Sequence, residues 1–165
     1  MTDEQGMTEE ELSATVELFA GIDFLSALTP EQHLALARAA RLSSYELGDA
    51  IFEEGEQTEG LLVVKSGRVR LFQTSGGKEA SIGIRKAGEL LGEIGALRQV
   101  LYEYSCRASA STDILLVPAS SFAAVLRDNP EAEDFMSSHA AIRAAGGVVS
   151  QLFDLRGAVD AQELQ

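Results

Sequence analysis

A short segment with two glycines and one carboxylate, Gly-Glu-Ile-Gly-Ala-Leu at residues 92–97, has the residue types best suited to ligand binding. Its glycines permit a tight turn, and a short helix that starts there presents backbone N–H groups to an anion. The Glu93 carboxylate beside them can accept hydrogen bonds from sugar hydroxyls. A phosphate also favours the planar fork of an arginine. The segment therefore suits a ribose phosphate, provided that an arginine follows it.

Several glycines around this segment keep a characteristic register with short apolar runs. They are Gly48, Gly55, Gly67, Gly88 and Gly92. Together with Arg107-Ala108 and the apolar run at 115–118, their order resembles the cyclic-nucleotide-binding domain family. That family includes catabolite activator proteins, protein kinase A regulatory subunits and nucleotide-gated channels. The resemblance spans roughly residues 18–127, and it implies a jelly-roll β-barrel flanked by helices.

The resemblance also implies roles for individual residues. Gly92, Glu93, Ile94, Gly95 and Ala96 match the family's phosphate-binding cassette, in which the glutamate binds the ribose and backbone N–H groups bind the cyclic phosphate. The implied ligand is cAMP or cGMP. In the alternative interpretation, the two glycines only allow a turn and Glu93 is a carboxylate at a helix start.

The cassette departs from the family pattern where its arginine should stand. Counting back from Ala108 places that position on Tyr102, and the next one on Glu103. A charge-assisted hydrogen bond contributes roughly 1.5–3 kcal/mol, so its loss lowers affinity by about one to two decades. Glu103 adds a like charge near the phosphate. Arg98 or Arg107 would have to replace the missing cation, although a Glu103–Arg107 pair is an equal alternative.

Composition favours a single domain without a membrane span. The 165 residues are 45% hydrophobic, contain no apolar run of 18 residues, and do not begin like a secretory signal. A single cysteine, Cys106, cannot form an internal disulfide and is expected to be a buried core residue, so we predict a cytoplasmic location. The net charge of −13 and the absence of a basic cluster argue against DNA binding. The acidic residues favour solubility, with a docking face for a basic partner as the alternative.

An enzyme is not expected. Cupins share the jelly roll and hold a metal with several histidines, whereas this chain has only His33 and His139, both in predicted helices. No Ser/His/Asp set, Cys/His set or Walker-type loop can be assembled from the sequence. We therefore predict no catalytic residues and no metal site.

Periodicity predicts short strands between helices, and the family resemblance implies an α+β fold, mainly β, in which an eight-stranded jelly-roll barrel lies between N-terminal and C-terminal helices. Capping signals start helices after Thr8 and Thr29, and a further helix runs from Glu131 to about Ala145. Glycines at 76 and 77 indicate a hairpin. Strands are predicted at 51–52, 61–66, 68–74, 80–85, 104–110 and 113–117. The predicted divisions are an acidic tail and helix (1–28), the barrel with flanking helices (29–127) and a helical segment (128–165).

The C-terminal segment carries apolar residues at helical spacing. Such a segment could form the surface through which the domain contacts a partner. A homodimer or protein partner would contact Phe135, Met136, Ile142, Val149, Leu152 and Phe153. The alternative is a helix folded back on its own barrel. Two functions remain: a non-catalytic regulatory or interaction module with a degenerate nucleotide site, and a working sensor of cAMP, cGMP or another small ligand. Either one would stand alone or form part of a larger protein such as a transporter.

Overall fold

The computed structural model describes residues 7–98 and 100–139, and for Ile94 the backbone alone. The described residues form five helices: α1 (Glu9–Ala20), α2 (Pro30–Ala39), α3 (Glu93–Arg98), α4 (Ala119–Arg127) and α5 (residues 130–139). A 3-10 turn, Asp23–Leu25, joins the first two. The predicted capping boxes at Thr8 and Thr29 are both formed, and each closes through the side chain three residues later. The first two predicted helix starts are thus confirmed.

Eight strands form two antiparallel four-stranded sheets. The strands are β1 (Arg41–Tyr45), β2 (Ala50–Phe52), β3 (Gly60–Ser66), β4 (Arg68–Ser75), β5 (Lys78–Lys86), β6 (Leu90–Leu91), β7 (Ser105–Ala108) and β8 (Thr112–Pro118). One sheet has the order β1-β8-β3-β6 and the other β2-β7-β4-β5. The predicted α+β class and strand number are confirmed.

The prediction of a barrel is wrong in one respect, because the β-structure is not closed. Within the described residues no ladder joins the two sheets, which face each other as a jelly-roll-like sandwich. The shortest strands explain this: β2 has three residues and β6 has two, so neither is long enough to carry pairing from one twisted sheet into the other.

Two apolar cores lie on opposite faces of the first sheet. The helix-side core packs α1, α2, α4 and α5 against it and includes Phe19, Phe24, Leu36, Leu61, Val63, Leu115, Val117, Phe122 and Met136. The inter-sheet core contains Phe52, Leu62, Val64, Val69, Leu71, Leu91, Tyr102, Cys106 and Ile114. Because successive side chains of β3 point to opposite faces, this strand supplies both cores and is apolar at five consecutive positions from Gly60.

Local turn chemistry fixes the β4–β5 hairpin. Gly76 and Gly77 both have positive φ (58° and 78°), as the two central residues of a type I′ turn require, and Ser75 pairs with Lys78. The predicted hairpin is confirmed. By contrast, α2 ends at Ala39, and Leu42 lies in β1 and is exposed.

Candidate functional site

The cassette segment turns sharply out of β6 into α3. Gly92 has φ +70°, and a Cβ atom there would lie 3.3 Å from Cε1 of Tyr102 and 3.4 Å from the carbonyl oxygen of Gly60. A Cβ at Gly95 would overlap the side chain of Thr58, whose hydroxyl donates a hydrogen bond to the Val100 carbonyl. The positive φ therefore favours glycine at 92, and packing against Thr58 favours it at 95. These preferences hold whether or not a ligand binds.

Glu93 begins α3 and its side chain is only 6% exposed. Ala96, one turn later, packs into the helix-side core and anchors the short helix. The side chain of Ile94 lies outside the described part of the chain. A carboxylate is rarely buried to this degree unless polar contacts compensate for its removal from water.

Tyr102, at the position of the family's arginine, belongs to the inter-sheet core. It is 7% exposed, and its ring stacks on that of Phe52 with 3.8 Å between centroids and 11° between planes. Its backbone exchanges hydrogen bonds with the Gly55–Glu56 turn, and its hydroxyl oxygen lies 3.5 Å from the Glu59 amide nitrogen. Burial raises the pKa of the Tyr102 phenol. The side chain is thus held by packing on several sides.

Tyr104 contacts the cassette backbone, although the sequence analysis did not single it out. Its hydroxyl oxygen accepts a hydrogen bond from the Gly92 N–H at 3.3 Å. Burial, and next the negative charge of Glu93, raise the pKa of this phenol well above its usual range. The Tyr104 phenol therefore accepts the hydrogen bond of the first N–H in the segment that was expected to bind phosphate. The alternation of β7, which places Cys106 in the core, would have indicated an inward Tyr104.

Glu103 and the two arginines named as replacements lie away from this cluster. Glu103 is exposed, and its carbonyl accepts a hydrogen bond from the Gln73 side chain at 3.0 Å. Arg107 forms a bidentate pair with Glu79 at 2.8 and 2.7 Å, which lowers the pKa of the Glu79 carboxyl. Arg107 also lies over the ring of Phe72. Arg98 is exposed at the end of α3. The expected alternative of a Glu103–Arg107 pair is therefore wrong, because Arg107 pairs with Glu79 instead.

A third arginine, Arg85, was missed by the sequence analysis and lies on the inner side of the second sheet. Its strand partner Val69 is fully buried. Its Nη1 donates to the carbonyl of the preceding residue, Ile84, at 3.2 Å, whereas its buried Nε has no hydrogen-bond partner. The charge of Arg85 acts on the phenol of Tyr104 and the thiol of Cys106, opposing the upward pKa shifts that burial causes.

A groove of about 430 Å³ runs beside Arg85, a volume within the range of small-molecule sites. Its apolar lining comes from Ile22, Phe24 and Leu90, and His139 of α5 stands at its edge. His139 contacts the ring of Phe24 with 5.9 Å between centroids. Within residues 7–98 and 100–139 no group of three or more metal-ligating side chains occurs. Across the same described part of the chain, no helix is long and apolar enough to span a bilayer.

The residues named for a partner interface divide between the two alternatives. Met136 is fully buried in the helix-side core, so α5 does fold back on its own domain. Phe135 is 40% exposed and stacks on His139. Ile142, Val149, Leu152 and Phe153 lie outside the described residues. One face of α5 is therefore anchored in the domain, and a neighbouring position remains accessible.

Comparison with known proteins gives a consistent answer. Residues 42–129 match the family model described as the cyclic nucleotide-binding domain. The cyclic AMP receptor protein of Thermus thermophilus is 34% identical over 112 residues, which cover 67% of this chain and 51% of that protein. The crystal structure of the catabolite activator protein of Thermus thermophilus superposes with a TM-score of 0.67 and 30% identity, over 84% of this chain and 62% of that one.

A crystal structure from Ruegeria pomeroyi, described as that of a candidate cyclic nucleotide binding protein, also has a TM-score of 0.67. It is 25% identical and covers 90% of this chain and 63% of its own. The chain thus spans about half the length of its relative from Thermus thermophilus, and under two thirds of each of these two solved chains.

Proposed function

The chain belongs to the cyclic nucleotide-binding domain family, and from that premise we propose that it is a non-catalytic regulatory or interaction module that binds cAMP and cGMP weakly or not at all. The observation that carries the proposal is the buried Tyr102. Where the family pattern places an arginine, this chain has an aromatic ring stacked on Phe52, and a side chain so packed cannot swing out for an anion.

Two further contacts support the proposal. The Tyr104 hydroxyl accepts a hydrogen bond from the Gly92 N–H, so a phosphate would first have to displace the Tyr104 side chain. The two arginines named as replacements for the missing cation are the exposed Arg98 and the Glu79-bound Arg107. Without a cationic fork the phosphate would be desolvated with little compensation, which disfavours binding.

A specific observation favours the second candidate, a working small-ligand sensor. Glu93 keeps its family position, is almost fully buried, and follows a glycine whose positive φ fits the family's turn. These features suit the sugar hydroxyls of a ligand. In this alternative, binding is transmitted through α5, whose residue His139 lies at the groove and whose residue Phe135 is exposed for a partner or a second copy of the chain.

The cellular location of the domain and the protein on which it acts are also proposals. The single cysteine is buried and unpaired, which suits the reducing cytoplasm. Because the relatives extend beyond the matched region, the domain would act on a further part of its own protein, such as a transporter, or on a separate partner. No DNA-binding role is proposed for this acidic chain, whose net charge is −13.

Calorimetric titration with cAMP and with cGMP tests the proposal. We expect no saturable heat at micromolar ligand, and micromolar binding by the unaltered chain would contradict the proposal. The structure also specifies how binding should be regained. The triple variant Tyr102→Arg, Glu103→Ser, Tyr104→Ala supplies the fork, removes the like charge and frees the Gly92 N–H.

We expect this variant to gain about one to two decades of cAMP affinity. The matched control adds Glu93→Ala to the same three changes and should lose the gain. Thermal unfolding first establishes that both variants fold, since an arginine at 102 is buried and unpaired without ligand. A folded triple variant with no gain would mean that the arginine position has been placed wrongly.

A further inference from the structure

A narrow cleft opens between the two sheets on the side where each sheet ends in a free edge. β1 is the edge strand of the first sheet and β2 that of the second, and no ladder of the described residues joins them. The cleft, called the seam cleft below, is lined on its buried side by Phe52 and Tyr102 and on its exposed side by Glu56 and Glu59. It shares no lining residue with the groove beside Arg85.

The size of the seam cleft limits what it can hold. Sites for drug-sized molecules measure roughly 300–1,000 Å³, and a cavity of roughly 150 Å³ holds a benzene-sized molecule. The seam cleft has a volume of about 110 Å³, which suits the end of one side chain. Leu62 of β3 and Ile114 and Leu116 of β8 also line it, so the group that enters must be apolar along part of its length.

The charged side chains that line the seam cleft are all acidic. Among the described residues its lining contains the two carboxylates and no Lys, Arg or His. The Glu59 carboxylate has no hydrogen-bond or ion-pair partner within that part of the chain, whereas one oxygen of Glu56 accepts a hydrogen bond from the Glu53 N–H at 3.0 Å. Burial raises the pKa of the Tyr102 phenol, and the charges of Glu59 and Glu56 raise it further. The seam cleft therefore has a negative potential that nothing described in the fold neutralises.

Two carboxylates beside an apolar, aromatic lining favour a cation on an apolar stem. Lysine and arginine have this form, because their methylene groups pack on apolar surface while the charged end stays near polar groups. The rings of Tyr45 and Phe52 add surfaces that attract a cation. The surroundings extend this preference, since residues 46–59 contain six Asp or Glu residues, all exposed, and no Lys or Arg. A basic segment would therefore be attracted before it makes contact.

Strand β1 offers a backbone with which such a segment can pair. Within the described residues its ladder is formed with β8, on one side only, and unpaired strand edges accept extended peptides. Ser43 and Tyr45 line the seam cleft, while Ser44 between them donates a hydrogen bond to the Asp113 carboxylate at 2.7 Å. A peptide strand beside β1 would direct every second side chain to the side of the cleft.

We propose that the seam cleft binds a lysine or arginine side chain from an extended basic segment of a protein partner, and that this segment pairs with the free edge of β1. The charged end of that side chain lies between Glu56 and Glu59, and its stem packs on the ring of Tyr45. The proposal rests on the proposed function in treating the domain as an interaction module, and it names the chemistry of the partner.

Fluorescence anisotropy tests the proposal on the full chain, with a labelled peptide of alternating lysine and threonine at about 0.15 M salt to screen long-range attraction. We expect saturable binding that Glu59→Gln weakens at least about tenfold. Glu46→Gln is the matched control, because Glu46 is an exposed carboxylate of the same acidic stretch and does not line the seam cleft. It should change the affinity by less than about threefold. Equal weakening in the two variants, or no saturable binding, overturns the site.

Two further probes test the occupant of the seam cleft. The same peptide methylated at every backbone nitrogen cannot pair with a strand edge, and we expect it to bind at least about tenfold more weakly. Equal binding of the methylated peptide overturns the pairing with β1. Spermine carries amines without a peptide backbone, and we expect it to bind more weakly than the lysine peptide. Equally tight binding of spermine would assign the cleft to a free cation and overturn the protein partner.

Titration with cAMP separates this proposal from the proposed weak nucleotide binding. Micromolar cAMP binding together with peptide binding that depends on Glu59 would contradict the weak nucleotide binding and support the seam cleft. Absence of both cAMP binding and peptide binding would do the reverse.

Discussion

The two faces of the second sheet treat charge in opposite ways. On its outer face Arg107 is paired with Glu79 and Arg70 is bonded to Ser81, all in contact with solvent. On its inner face Arg85 carries a buried nitrogen without a partner, among Leu71, Cys106 and other apolar side chains. Water makes the outer pairs nearly neutral for stability, whereas a buried donor without a partner lowers stability. A hydrogen-bonded charge on the outer face and an unsatisfied donor on the inner face therefore contribute differently to stability.

The largest expected effect concerns the thiol of Cys106, which reports whether the inner face is closed. It is fully buried, and burial raises its pKa to about 12. We expect the native protein to react with a thiol reagent at least about a thousandfold more slowly than the denatured chain, because reaction requires opening. Fast labelling of the native state would show that the inner face is open to solvent.

The same thiol predicts a pH dependence. Its folded pKa exceeds the reference value of 9.0, so its burial contributes stability fully below about pH 9 and loses it as pH rises toward 12. Replacing it with Ala, Cys106→Ala, should reduce the fall in stability over that range. The Tyr104 phenol acts in the same direction, so some alkaline loss should remain.

The second-largest expected effect concerns side-chain packing, which differs between the two faces of the second sheet. Leu71→Ala removes a buried side chain of the inner face and should lower the free energy of unfolding by about 2–5 kcal/mol. Ile84→Ala, on the exposed outer side of β5, should change it by about 0.5 kcal/mol or less. Urea unfolding measures both. Similar values for the two variants would remove the basis of the comparison.

The third-largest expected effect follows from removing the hydroxyl group of Tyr104. Tyr104→Phe leaves the Gly92 N–H without its acceptor, which should lower the free energy of unfolding by roughly 1 kcal/mol. Tyr45→Phe serves as the control, since its hydroxyl makes no hydrogen bond in the described structure. A gain in cAMP affinity in Tyr104→Phe, without loss of stability, would indicate that the phenol competes with a ligand rather than supporting the turn.

The smallest effect is expected for the ion pair between Arg107 and Glu79 on the outer face of the second sheet. Arg107 lowers the pKa of Glu79, so any stability from the pair is present above about pH 4.5 and is lost as pH falls through the lowered value. Glu79→Gln should therefore differ slightly from the unaltered chain at neutral pH and low salt, and match it at pH 3 or high salt. Glu103→Gln is the control. A large effect at high salt would show that the pair is structural.

Features set by neighbouring residues could be predicted from the sequence. The hairpin at Gly76-Gly77 and the capping boxes depend on local chemistry and appear as expected. Strand β1 was not expected, because Arg-Leu-Ser-Ser-Tyr lacks an apolar pattern and forms only by pairing with β8. Tyr102 as the stacking partner of Phe52 depends on a contact across fifty residues of chain that no local pattern reveals.

The inward direction of Arg85 was hidden for a related reason. A register shift in the β4–β5 ladder follows Leu71, so counting alternate residues along the hairpin from the turn gives the wrong face beyond that point. The roles of Glu93 and of the cassette remain predictions, since their burial and geometry fit both a ligand site and a packed turn.

The pairing of β1 with β8 also bears on how the protein is made. β1 and β8 are the first and the last strand in the sequence, yet β8 lies between β1 and β3 and completes their sheet. A growing chain therefore exposes β1 and β3 as unpaired edges until Pro118 has left the ribosome. Because such distant pairings are slow to form, we expect folding on the millisecond-to-second scale. Truncation before β8 should leave an aggregating product rather than a smaller stable domain.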